Sequence, residues 1–296
     1  MCRLLAVLLA TLTLAFGPQV VVAQDATPAT AGSLLAAMRY PELRVRVDGA
    51  TYDMPVTSVP AGRTLIALEN AGQESWHGFL LRLPEGVTVD AVMSATPGAE
   101  DVPPPWLFDA SYPGFPGETQ PGETNYAVVD LAPGEHLIVG DSFQSLLVTG
   151  DAATPSAASE PPATATVSLF EYGFDLPDTL APGRQVWAVT NAGREPHELL
   201  LARSPSPMTR EQVMELVMAE SQDATPTGGG PSGRDILGVG GVGWLSPGTT
   251  AWAEVNLEPG TYIVLCFVPD PETFTPHVAM GMVDVFTVGE AATPTS

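Results

Sequence analysis

Two blocks of this 296-residue chain occur twice and in the same order, a constraint on the fold stronger than any single motif. The run from Pro60-Ala61-Gly62-Arg63 to Asn70-Ala71-Gly72 returns as Ala181-Pro182-Gly183-Arg184 to Asn191-Ala192-Gly193, with Gly62 and Asn70 matching Gly183 and Asn191 at an offset of 121. A later run, Pro121-Gly122 to Pro133-Gly134, returns at an offset of 126 as Pro247-Gly248 to Pro259-Gly260. The order indicates a duplicated domain, over 34–150 and 166–289. Between them 151–165 is Ala/Pro/Ser/Thr-rich and reads as a spacer, as do 24–33 before the first copy and the tail 290–296.

Within each copy the apolar period is mostly two. Val167 to Phe170, Gln185 to Thr190, Ala251 to Leu257 and Thr261 to Phe267 are short and rich in β-branched or aromatic residues, and Pro-Gly turns bound several of them. Short strands with such punctuation predict an all-β sandwich or barrel. One short helix interrupts each copy: Thr209 to Gln212 fits a capping box ahead of Val213, Leu216 and Val217, and Val87 to Ser94 is the weaker counterpart. Met208, Met214 and Met218 read as helix packing, and the glycine-rich stretch from Gly228 to Gly243, without a Gly-Lys-Ser/Thr ending, as a loop.

Arg3 followed by the mostly apolar run Leu4 to Phe16 and small residues at 21–23 reads as a secretory signal peptide over 1–23, so an extracytoplasmic location is expected, in a periplasm or at the cell exterior. No later stretch is long and uncharged enough for a membrane span. With 34 acidic residues against 11 Arg and a net charge of −23, nucleic acid is excluded as a partner, and a basic or neutral protein is favoured. Loss of the leader removes Cys2 and leaves Cys266 without an internal disulfide partner.

The chemistry gathers around that cysteine. Gly260 to Leu265 delivers Cys266 at the end of a strand; a Pro-rich loop leads to His277, Met280 and Met282; His197 lies far upstream, after Asn191-Ala192-Gly193 and Pro196. A thiolate, two imidazoles and a thioether make a soft mixed set that suits copper, whereas hard ions prefer carboxylates and water. At these residues the chain resembles the cupredoxins, the blue copper proteins, most closely the plastocyanin-like members. The resemblance implies two tandem Greek-key β-sandwiches, with one type 1 copper in the second held by His197, Cys266 and His277 and by Met282 as axial ligand. Met280 is the competing axial candidate, and Asn191 and Glu198 would support the site from behind.

The chain departs from that pattern in three places. Ten residues separate Cys266 from His277, a longer loop that Pro269, Pro271 and Pro276 hold in one shape or that is a metal-free elaboration. Glu198 stands where Asn is favoured, and the Asn-to-His spacing is one residue longer. In the first copy Gly140 falls at the Cys266 position and His77 near that of His197, so no thiolate–copper site forms there. His77 reads as a vestige or an edge residue, His136 as packing, and the first domain as a metal-free module that docks a partner or packs on the second. Four His and no His-X-His oppose a multicopper oxidase and leave a nitrite reductase improbable. The expected function is therefore one-electron transfer, with His277 as a partly exposed edge for electron entry. Copper storage or delivery, or a metal-free binding module, is the alternative.

Overall fold

The structure is a computed structural model that describes residues 32–94, 104, 106–150, 158–220 and 233–289; the leader, the tail, 24–31 and 151–157 lie outside them. The first repeat contains β1 (Glu42–Asp48), β2 (Thr51–Asp53), β3 (Ser58–Pro60), β4 (Gly62–Asn70), β5 (Phe79–Arg82), helices α1 (Val89–Ser94) and α2 (Trp106–Asp109), β6 (Thr124–Leu131), β7 (Gly134–Val139) and β8 (Phe143–Thr149). The second contains β9 (Ala165–Phe170), β10 (Gly173–Asp175), β11 (Gly183–Asn191), β12 (His197–Ser204), helix α3 (Arg210–Glu220), β13 (Leu237–Leu245), β14 (Thr250–Leu257), β15 (Gly260–Leu265) and β16 (Val283–Val288). The period-two reading holds: in β1, Leu43, Val45 and Val47 are buried and alternate with exposed residues. The first repeat carries a second short helix, α2, where only one was expected.

Each repeat is a sandwich. β2-β1-β4-β6 faces β3-β8-β7-β5 in the first, and β10-β9-β11-β14 faces β13-β12-β15-β16 in the second. The two larger sheets fuse into one of eight strands through β6 and β14, where Ala127 lies opposite Ala253 and Val128 opposite Trp252. Ala127 and Ala253 are equivalent positions of the repeat, as are Pro116 and Val242, which form an isolated bridge between the repeats. Contacts between equivalent positions are those of a two-fold interface, here within a single chain. The first repeat therefore packs on the second, and one hydrophobic cluster runs from Leu43 to Cys266 across both.

Part of the stretch read as a glycine-rich loop is the strand β13 (Leu237–Leu245). Its glycines answer a steric demand. Residues 111–119 of the first repeat run antiparallel alongside it, and a Cβ on Gly238 would strike the Glu118 carboxylate, while one on Gly117 would strike the Gly240 carbonyl. The capping box forms as expected, with Gln212 N donating to Thr209 Oγ1 (3.3 Å) and Thr209 N to Gln212 Oε1 (2.9 Å). Met208 and Met214 pack beneath α3, but Met218 is exposed.

The spacers are shorter than composition implied. Ser33 Oγ donates to Glu254 Oε2 (2.6 Å), and Leu35 is fully buried over the β6–β14 seam against Leu65, Val128, Val186 and Trp252. On the other side of the linker, Thr164 N donates to the Val186 carbonyl (2.8 Å), which fixes the approach to β9. Polar side chains satisfied in this way are not a free tether.

Candidate metal centre

Three elements bring the site together. His197 opens β12, Cys266 follows β15, and His277 begins a 3-10 turn (His277–Met280) that ends at Gly281, whose φ of 104° is a left-handed conformation suited to glycine. Backbone bonds tie the pieces directly: Cys266 N donates to the Met282 carbonyl (3.3 Å), Val278 N to the Cys266 carbonyl (2.7 Å) and Met282 N to the His277 carbonyl (2.9 Å). The long loop is braced from within. Pro269 and Pro276 bridge its two arms, and Asp270 Oδ1 accepts from Glu272 N (3.0 Å), Thr273 N (2.6 Å) and Thr273 Oγ1 (2.8 Å). From the side, α3 sends Arg210 Nε to the Val283 carbonyl (2.9 Å) and its Nη2 to the Gly281 carbonyl (2.6 Å).

His197, Cys266 and His277 converge and are all fully buried. His197 Nδ1 lies 3.0 Å from His277 Nδ1, and Cys266 Sγ lies 3.5 Å from His277 Nδ1. One ion with metal–nitrogen bonds of about 2.0 Å and a metal–sulfur bond of about 2.3 Å spans edges up to about 4.0 and 4.3 Å, so both of these edges are short enough for a single ion. Burial pulls His197 down, and burial with the neighbouring His197 takes His277 down to about 4; both imidazoles are neutral at pH 7 and free to offer a lone pair to a metal. Burial pushes the Cys266 thiol well up, with Glu198 adding to it, so a metal must displace a proton to bind there. Met282 is fully buried beside Cys266 and His277, to which its backbone bonds, whereas Met280 is 37% exposed. That exposure counts against Met280 as an axial candidate.

Carboxylates back the imidazoles. Glu171 Oε1 lies 3.5 Å from His197 Nε2 and Glu195 Oε2 lies 3.1 Å from His277 Nε2, close contacts off the hydrogen-bond direction. Asn191 clamps the loop that carries Glu195: its Nδ2 donates to the Glu195 and Leu245 carbonyls (2.7 Å each), and its Oδ1 accepts from Gly193 N (2.9 Å). Glu198 offers its amide to Cys266 Sγ (3.4 Å), and its Oε1 accepts from Phe267 N (2.8 Å). The expected exposed edge of His277 is absent. Its ring is fully buried, with Tyr172 edge-on at 5.0 Å between centroids and the Tyr172 hydroxyl donating to Asp270 Oδ2 (3.2 Å).

The first repeat shows why it has no such triad. Trp76 and Thr119 form the bridge that His197 and Leu245 form in the second repeat, so Trp76 occupies the His197 position. A Cβ on Gly140, the Cys266 equivalent, would lie 2.9 Å from Trp76 Cε2: the indole fills the space. His77 consequently matches Glu198 and not His197, and its Nε2 reaches Glu198 Oε2 at 3.3 Å across the interface. Counting at a constant offset of 121 from Asn70 and Asn191 gives that match in the sequence. For Glu171, Glu195 and Arg210 no comparable sequence signal exists.

No protein-family model and no curated protein matches the chain. Among solved structures it is similar to a dithionite-reduced auracyanin from the photosynthetic bacterium Roseiflexus castenholzii (21% identity, 43% of this chain and 99% of that one, TM-score 0.26). It is also similar to auracyanin B (19% identity, 44% and 92%, TM-score 0.27). A copper nitrite reductase from Nitrosomonas europaea matches over more of the chain (12% identity, 86% and 95%, TM-score 0.25).

Proposed function

We infer that this chain is an exported copper protein of the cupredoxin type, carrying one electron at a single copper ion in its second repeat. The observation that carries this reading is the fully buried triad of His197, Cys266 and His277, with donor atoms 3.0 and 3.5 Å apart. A thiolate and two neutral imidazoles suit both Cu(I) and Cu(II), and copper held there would supply one-electron chemistry. Met282, buried next to Cys266 and His277, would offer its thioether as a further donor.

The protein's own groups do the rest. The braced loop and the β-sheet fix the donors in one arrangement, and complete burial keeps water from them. The Glu198 amide points a hydrogen-bond donor at the sulfur. Tyr172 covers His277, and with Glu171, Glu195, Asp270 and Glu272 around it this face suits a basic redox partner. The two other histidines are engaged elsewhere, His77 with Glu198 and His136 with the Gly134 carbonyl, which favours a carrier over an enzyme needing further copper. A basic partner outside the cytoplasm also accords with the leader-like residues 1–23 and the net charge of −23.

One equivalent of Cu(II) added to the purified protein tests the reading by visible and electron-paramagnetic spectra. The expected result is a strong thiolate-to-copper band that disappears in Cys266→Ala. A colourless wild-type complex overturns the function, and a band that survives in Cys266→Ala overturns the ligand assignment.

A further inference from the structure

Glu198 is a fully buried carboxylate immediately behind the triad, and its atoms make three contacts. The amide faces Cys266 Sγ (3.4 Å), Oε1 accepts from the amide of Phe267 (2.8 Å), and Oε2 lies 3.3 Å from His77 Nε2. The first two belong to the second repeat. The third comes from the first repeat.

We propose that His77 is a positioning residue for the metal centre of the other repeat: its imidazole compensates the buried Glu198 carboxylate, which in turn fixes the strand end carrying Cys266. A buried carboxylate needs a partner, because removal from water is repaid only by close opposite charge or hydrogen bonds. The Phe267 amide satisfies one oxygen. The other makes no hydrogen bond, and His77 Nε2 lies beside it at 3.3 Å, off the hydrogen-bond direction.

The repeat explains how such a pair arises. His77 and Glu198 occupy equivalent positions, and equivalent positions meet along the same seam at Ala127–Ala253 and Pro116–Val242. In an assembly of two identical chains the same residue would face itself there, Glu against Glu or His against His, and like charges repel. A tandem chain can place different residues at the two positions. Burial lowers the His77 imidazole, but contact with the Glu198 carboxylate, with Glu118 adding to it, raises it overall above its usual value.

The role rests on the metal reading of the triad, yet it has a consequence in the metal-free protein. Hydrogen exchange of the full-length apo chain in His77→Ala is expected to quicken at the Phe267 amide by about 10-fold or more, while the amides of β9 remain as in wild type. Glu198→Gln in the His77→Ala background removes the uncompensated charge and is expected to restore slow exchange. With Cu(II) bound, His77→Ala is expected to shift the thiolate band and weaken copper by about 10-fold, and His77→Gln, which keeps a donor, to shift it less. Unchanged Phe267 exchange, or a rise shared equally by every amide, overturns the role of His77. A wild-type protein without any thiolate band overturns the metal reading instead, and the exchange result distinguishes the two failures.

Discussion

Glu195 and Glu171 sit on the far nitrogens of His277 and His197, at 3.1 and 3.5 Å. A carboxylate there makes the imidazole a stronger donor and favours the more highly charged metal state. Glu195→Gln is therefore expected to weaken Cu(II) by about 10-fold and to raise the reduction potential, read by competitive titration and by voltammetry; an unchanged affinity would reduce the contact to packing. A second prediction concerns the first repeat, away from the metal. Burial holds the His136 imidazole down to about 4 from its usual 6.5, with Arg82 adding to the drop and the Gly134 carbonyl opposing it. The unfolded chain takes up this proton as pH falls from 6.5 to 4 and the folded chain does not. Stability present at pH 7 should decline across that window, by on the order of 3 kcal/mol from this residue, and His136→Gln should flatten the decline in denaturant titrations. At this scale the triad is legible in the sequence because thiol and imidazole donors are scarce: one cysteine after the leader and four histidines. Glu171 and Glu195 are two among 34 acids, and only the folding of β9 beside β11 brings Glu171 to His197.

The loop from Phe267 to Pro276 shows what an element adds to its residues. Its prolines limit the backbone, but Asp270 closes it, accepting three bonds from Glu272 and Thr273 and a fourth from Tyr172. Asp270→Ala should cost the apo protein about 1 kcal/mol, since the freed amides are near water. It should also let copper escape faster to a chelator, because His277 is then less firmly held opposite Cys266. Chelator challenge of both proteins measures this, and equal release rates would mean that the prolines alone fix the loop. The same contrast governs which elements could be read in advance. Alternating Leu43, Val45 and Val47 announce β1, since one face is buried and the other wet. β13 is hidden because its glycines look like a loop, and their purpose lies in residues 111–119 pressing against them from more than a hundred positions away.

Across the whole molecule the seam between the repeats is part of the core. Trp244 of β13 stacks on Phe79 of β5 at 4.5 Å and meets Tyr112 at 5.0 Å, joining side chains of both repeats in one buried group. β6 and β14 continue a single sheet across the boundary, and Leu35 closes its opposite face. Neither half can leave without exposing that surface, so the two repeats should unfold as one cooperative unit despite the linker between them. Calorimetry is expected to give one transition with equal calorimetric and van't Hoff enthalpies. Trp244→Ala should lower the stability read from that transition by about 3–5 kcal/mol, without splitting it. Copper supplied to the second repeat should stabilise the first as well, since a ligand that binds only the folded state raises the midpoint of whatever unfolds with it. Near-ultraviolet signals from Trp76, in the metal-free repeat, should then shift upward together with those of the triad on copper addition. Two separate transitions, with the Trp76 signal indifferent to copper, would make the repeats independent domains and reduce the seam to simple contact.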